Sequence, residues 1–151
     1  MNNDVVIRFA KEEDVPEIIK LCQQHALFER AEYDKSGKEE KLKKHLFSDR
    51  PDLKCLVALK NDAIVGYATY MKQFSTWDAE YYFYMDCLFL QEGARGTGIG
   101  ELLIMRIKAE AAKFNCSLIQ WQTPEFNTRA MKFYRRIGAY SKTKERFFLE
   151  I

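Results

Sequence analysis

The sequence is poor in the residues that most often build metal centres and covalent frameworks. It has two histidines, His25 and His45, and four cysteines, Cys22, Cys55, Cys87 and Cys116, widely spaced and with no C-x-x-C pair. That argues against a zinc site and a disulfide scaffold. It suits buried thiols in a reducing compartment, so the expected address is the cytoplasm and no metal is expected. No apolar run approaches the roughly 18 residues of a membrane span, and the opening "MNNDVVIRFAKEED" lacks the apolar stretch of a signal peptide. A formal net charge of +2 is too small to argue for nucleic acid or an anionic membrane as partner. The densest cluster of lysines, around "KEEKLKKHLF", is interleaved with Glu39 and Glu40, which reads as a solvated helix face. No repeat, low-complexity tract or internal linker divides the 151 residues, so a single domain over 1–151 is expected.

What the chain does contain is regular alternation. "VVIRF" (5–9) reads as a short strand. "DVPEIIKLCQQHALFER" reads as a helix with Asp14 as N-cap, Pro16 in the first turn and Glu17 completing a capping box. Val15, Ile18, Ile19, Cys22 and Ala26 form its inward face. A charged second helix follows, with Leu42 and Leu46 as its apolar stripe and Pro51 beyond its end. "CLVALK" (55–60) and "IVGYATYMKQF" (64–74) form a hairpin around "NDA", and "EYYFYMDCLFLQ" (80–91) is a third strand. Then come a helix carrying Leu103, Ile107, Ala111 and Phe114 on one face, a strand at 117–123, a short helix closed by Gly138, and a final strand "RFFLEI". The fold class is α/β, a mixed central sheet flanked by helices.

Three alternate glycines, Gly96, Gly98 and Gly100, mark the junction between the 80–91 strand and the next helix. Bare backbone amides and the positive end of a helix dipole make such a junction an anion site. A dinucleotide loop would need a glycine where Glu101 stands, and a Walker A loop would need Lys-Ser or Lys-Thr after Gly98. "RGTGIG" (95–100) instead resembles the acyl-CoA pyrophosphate loop of the GNAT superfamily of N-acetyltransferases. "FNTRAMKFYRRIGA" (126–139) is similar to that family's downstream asparagine, tyrosine and closing glycine. The order of elements resembles the single-domain GNAT fold over nearly the whole chain. Within the superfamily, "LFERAE" (27–32), "MDCLFL" (85–90) and "KFYRRIGA" resemble diamine acetyltransferases, with Asp86 where those carry a glutamate. The loop near 72–80 and the short C-terminus depart from them.

The resemblance implies acetyl-CoA as co-substrate. Its pyrophosphate would lie on the amides of Arg95, Gly96, Thr97, Gly98, Ile99, Gly100 and Glu101, and its pantetheine would add along Leu88, Phe89 and Leu90. Asn127, Arg129, Ala130, Tyr134 and Arg136 would be further contacts. The Leu88 N–H, or one beside it, would polarise the thioester carbonyl. Tyr134 would face the sulfur and stabilise the departing thiolate. A homodimer is implied in the same way.

The amine sets the harder demand. A lysine-like ammonium has a pKa near 10.4, so presenting the free base at pH 7 costs about 4–5 kcal/mol. Between Gln73 and Ala94 the chain carries Asp78, Glu80, Asp86 and Glu92 but no lysine or arginine. A strict two-residue period puts Tyr81, Phe83, Met85, Cys87 and Phe89 on a core face. Glu80, Tyr82, Tyr84 and Asp86 then form a cation-holding face, unless a bulge shifts the register past Asp86. Asp86 is the candidate for proton removal, through water because an ordinary aspartate is a weak base. Phe28 and Glu29 are candidates for the amine's tail, with Glu32 nearby. Cys87, facing the core, is not expected to act as a nucleophile.

The reading is acetyl transfer to a small cationic amine, a polyamine, diamine or lysine-like molecule, by direct attack in a ternary complex. Peptide or protein N-acetylation and a non-catalytic acetyl-CoA sensor are the alternatives.

Overall fold

A computed structural model describes residues 4–151. These form a five-stranded sheet in the order β1-β2-β3-β4-β5. The strands are β1 (Val5–Phe9), β2 (Lys54–Lys60), β3 (Ala63–Ser75), β4 (Glu80–Leu90) and β5 (Ile119–Gln120). The first four pair antiparallel, and β5 lies parallel to β4 after a crossover through a helix. Asn61 and Asp62, both at positive φ, close the β2–β3 hairpin. Two consecutive left-handed residues match the twist of the flanking strands, and Asn and Asp tolerate that conformation.

Helices α1 (Val15–Phe28) and α2 (Lys38–Phe47) cover one face, where Ile18, Leu21 and Leu46 pack on Val57, Tyr67 and Phe89. Helix α3 (Ile99–Lys113) covers the other, where Leu103, Ile104 and Ile107 pack on Leu56, Ala68, Phe83 and Met85. A sheet buried on both faces explains why "CLVALK" is almost continuously apolar. Leu103 and Ile107 are fully buried, each contributing about 1.5–3 kcal/mol. Phe114, expected on the same inward face, stands just past the end of α3 and is exposed.

Two local expectations are corrected. Asp14 does not cap α1 with its side chain. Its carboxylate turns back to accept the Lys11 N–H at 2.7 Å and to pair with Arg8 at 2.6 Å, closing the short turn before the helix. The expected terminal strand "RFFLEI" is absent. After α4 (Thr128–Arg136) and Gly138, residues 141–151 leave the domain as an exposed arm, with Phe147 90% and Leu149 92% accessible.

The largest correction falls on β4. Thr69 of β3 pairs with Cys87, but Tyr70 pairs with Met85, so Asp86 is an extra residue in the ladder, a β-bulge. Before it, Phe83 and Met85 join the α3-side core; after it, Cys87 and Phe89 join the α1-side core, while Leu88 and Leu90 pack towards α3. The single apolar face drawn by strict alternation is therefore split at Asp86. Tyr81, at its start, is half exposed.

Candidate active site

β4 and β5 pair only at Phe83–Ile119 and Tyr84–Gln120. Beyond those rungs comes the Asp86 bulge, and the chain after Gln120 is no longer the partner of β4. The result is a cleft of about 590 Å³. Leu88, Phe89 and Leu90 line one wall; Trp121, Gln122 and Thr123 line the other. Gln91 donates its N–H to the Val65 carbonyl of β3 at 2.9 Å. By two-residue alternation, Leu88 and Leu90 direct their backbone groups to the opposite edge, towards the cleft. Arg95 Nε reaches the Leu90 carbonyl there at 2.9 Å.

The glycine turn closes one end. Gly96 and Gly98 have φ of 76° and 87°, a conformation that disfavours any side chain. Gly98 is the N-cap of α3, so the first amides of that helix point outward from the turn. Gly100 answers a further need. A Cβ there would meet Phe133 Cζ at 3.3 Å, so its bareness also lets α4 pack closely against the start of α3. Arg129 places a guanidinium nitrogen 3.6 Å from where a Gly96 Cβ would stand. Burial, and then the charge of Arg129, hold the Arg95 guanidinium below its ordinary pKa. Two cations and a helix mouth at one point are what a diphosphate would neutralise.

Helix α4 lies along the cleft. Asn127 accepts the Ala130 N–H at 3.4 Å as its N-cap. Tyr134 sits edge-on to Trp121, and burial, with the charge of Glu29 as a second cause, pushes its phenol up to about 12. Arg136, Ala130, Gly96, Gly98, Gly100 and Glu101 also line the cleft, as do Phe28, Glu29 and Asp86. Asp86, freed from the ladder, is exposed. Burial, and then the neighbouring Asp86 charge, push the Cys87 thiol up to about 12, which makes it a poor nucleophile.

Some expected site residues lie apart. Glu80 stands at the hairpin end of β4, opposite Ser75. Tyr82 donates its hydroxyl to Gln73 Oε1 at 2.8 Å, outside the cleft lining. Tyr84 touches the cleft indirectly, its phenol oxygen accepting from Gln122 Nε2 at 2.7 Å. Thr97 spends its hydroxyl on the Ala94 carbonyl at 2.5 Å, and the Ile99 side chain is core. Sequence reading passed over His25, Met85, Trp121, Gln122, Thr123, Lys132 and Phe133, all in the lining. For His25 the signal was available: it and Glu29 are four apart at the end of a helix.

Residues 16–139 match the acetyltransferase (GNAT) family, and the chain belongs to it. It is thus an N-acetyltransferase by family, and the family uses acetyl-CoA. Among curated relatives it is 30% identical to the thialysine N-epsilon-acetyltransferase of Bos taurus, covering 93% of this chain and 86% of that one. It is 26% identical to the L-ornithine N5-acetyltransferase of Arabidopsis thaliana, covering 88% and 78%. Among solved structures, an aminoglycoside N-acetyltransferase in complex with CoA superposes with a TM-score of 0.82 at 15% identity, over 99% of this chain and 97% of that one. That likeness is one of fold.

Proposed function

We propose that this chain acts as a single domain transferring acetyl from acetyl-CoA to the primary amine of a small cationic substrate, a polyamine, diamine or lysine-like molecule. One observation carries the reading. A single cleft joins a doubly cationic glycine turn to two carboxylates, Asp86 and Glu29, with Tyr134 along the same cleft. The curated relatives named for thialysine and ornithine, both amines, support the same class.

The thioester comes with acetyl-CoA and the nucleophile with the amine. The chain's residues supply the rest. The Gly96–Gly98 turn with Arg129 and Arg95 fixes the diphosphate. The cleft-facing backbone of Leu88 and Leu90 aligns the pantetheine as an added strand and leaves an N–H for the acyl oxygen. Asp86 holds the ammonium and draws off its proton through a water, offsetting part of the about 4–5 kcal/mol needed to present a free amine. Tyr134, kept protonated by burial, donates a hydrogen bond to the sulfur as negative charge develops there. The raised Cys87 thiol supports direct attack over an acetyl-enzyme.

The arm supports a homodimer. Phe147, Leu149 and Ile151 share one face of an extended segment, with Arg146 and Glu150 on the other beside Phe148, and the segment has no strand partner among the described residues. β5 terminates the sheet and presents an open edge. A second copy's arm would satisfy both. The four free thiols, with Cys55 and Cys116 buried, support a reducing, cytoplasmic setting.

The test is acetylation of diamines and lysine-like amines compared with a lysine-containing peptide, read by product mass. Turnover of the small amines and not of the peptide is expected. The reverse preference would transfer the function to protein acetylation.

A further inference from the structure

Glu29 occupies a position that helix stability does not explain. It is the C-cap of α1, its N–H bonded to the His25 carbonyl at 3.0 Å, so its carboxylate sits at the negative end of the helix dipole. What holds it there is the imidazole one turn earlier. His25 Nε2 lies 2.5 Å from Glu29 Oε2, and His25 Nδ1 lies 2.9 Å from the Tyr67 hydroxyl. A carboxylate only accepts, so Nε2 carries the proton and donates it to Glu29. In the neutral ring Nδ1 then accepts the Tyr67 O–H, which burial keeps protonated.

The ring cannot easily swing away. It stacks on Phe89 with centroids 5.0 Å apart at 20°, and meets Tyr67 edge-on at 6.0 Å and 71°. Tyr67 is itself anchored in the middle of β3 and is only 2% exposed. The chain of contacts runs from the sheet interior through Tyr67 and His25 to Glu29, and ends in the cleft, where the Glu29 charge reaches the Tyr134 phenol. Such a carboxylate is preorganised, and its rotamer entropy is spent before any ligand arrives.

We infer that His25, braced by Tyr67, is a positioning residue that fixes Glu29 to receive a second cationic group on the substrate, so that the cleft favours diamines over monoamines. The inference rests on the amine-transferase reading above and adds to it the device that sets specificity. Asp86, on the β4 bulge, serves the reacting amine, whereas Glu29, at the end of α1, serves the distal one.

The experiment compares 1,5-diaminopentane with 1-aminopentane as acceptors, in the wild type and in His25→Leu, His25→Gln and Tyr67→Phe. The monoamine matches the chain length and lacks only the second ammonium. Wild type is expected to favour the diamine in kcat/KM. In His25→Leu that preference should fall about tenfold, with the loss in the amine KM rather than in the KM for acetyl-CoA. His25→Gln keeps a donor for Glu29 and an acceptor for Tyr67, so it should recover much of the preference. Tyr67→Phe should lose less than His25→Leu. A thermal midpoint taken in parallel separates lost positioning from lost folding. Amine turnover with the diamine-to-monoamine ratio unmoved in His25→Leu, or absent in the wild type, overturns this inference and leaves the enzyme reading intact. No turnover with either amine in any variant, despite acetyl-CoA binding, removes the reading on which it rests.

Discussion

Tyr134 of α4 stands edge-on to Trp121, the residue following β5, with ring centroids 5.1 Å apart at 72°. The contact holds α4 to the cleft wall opposite Leu88 and Leu90, and it fixes where the phenol can point. Tyr134→Phe keeps that packing and removes only the hydroxyl. It should lower kcat by about 100-fold, the usual effect of deleting one transition-state hydrogen bond, with little change in the KM for acetyl-CoA. Steady-state kinetics with both substrates varied will check it.

The same phenol predicts a pH dependence. Burial raises its pKa to about 12, so the protonated, hydrogen-bond-donating form persists through pH 10, where an ordinary tyrosine is half ionised. The alkaline limb of the kcat profile should therefore show no fall that disappears in Tyr134→Phe below pH about 11.

Arg129 approaches the glycine turn at Gly96, and Gly96 holds φ of 76°. Arg129→Gln removes one of two cations and should weaken acetyl-CoA binding about tenfold, with a shallower salt dependence. Gly96→Ala should also weaken it while lowering stability by about 1 kcal/mol, because alanine is strained at that φ. Calorimetric titration with acetyl-CoA at two ionic strengths will measure both.

Asp14 and Arg8 form a partly buried pair at 2.6 Å, and hydrogen bonding to Arg8 holds the Asp14 carboxyl below the ordinary aspartate range. A depressed folded-state pKa means that this stabilisation is fully present above the ordinary value of about 3.9 and is lost as pH falls through the lower folded value. Asp14→Asn should cost about 1–3 kcal/mol at pH 7 and flatten the acid side of the stability curve. Urea unfolding between pH 2.5 and 7 is the measurement.

Much of this architecture was readable from the chain because local pattern and tertiary need agree. β1, the Asn61–Asp62 hairpin, β4 and α3 follow from alternation, turn chemistry and helical spacing, and their observed limits fall within a residue or two of those expected. The misses share a cause. Asp86 looks like one more outward residue until the pairing with Thr69 and Tyr70 reveals the bulge, and a bulge is a property of two strands together. The strand expected at 117–123 shrinks to Ile119–Gln120, its pairing with β4 ending at Tyr84, two residues before the bulge at Asp86. The arm alternates as a strand should, but a strand is made by pairing, and among the described residues none pairs with it. The turn at the strand–helix junction was legible from its glycines, of which Gly96 and Gly98 hold positive φ. That Gly100 serves the packing of Phe133 was not, because that contact joins residues distant in sequence.

If the arm completes a second copy's sheet, the full chain should sediment at twice its chain mass. Deletion of residues 141–151, or the paired substitution Phe147→Asp with Leu149→Asp, should yield a monomer. Sedimentation equilibrium decides it; a monomeric full chain would contradict the arrangement.

The most direct test of the account is amine-dependent release of the CoA thiol from acetyl-CoA, with the acetylated amine identified by mass, in wild type and Tyr134→Phe. Stoichiometric thiol and N-acetyl product in the wild type, strongly depressed in Tyr134→Phe, is the predicted result. Binding of acetyl-CoA with no thiol released by any amine, or equal rates in the two proteins, would contradict it.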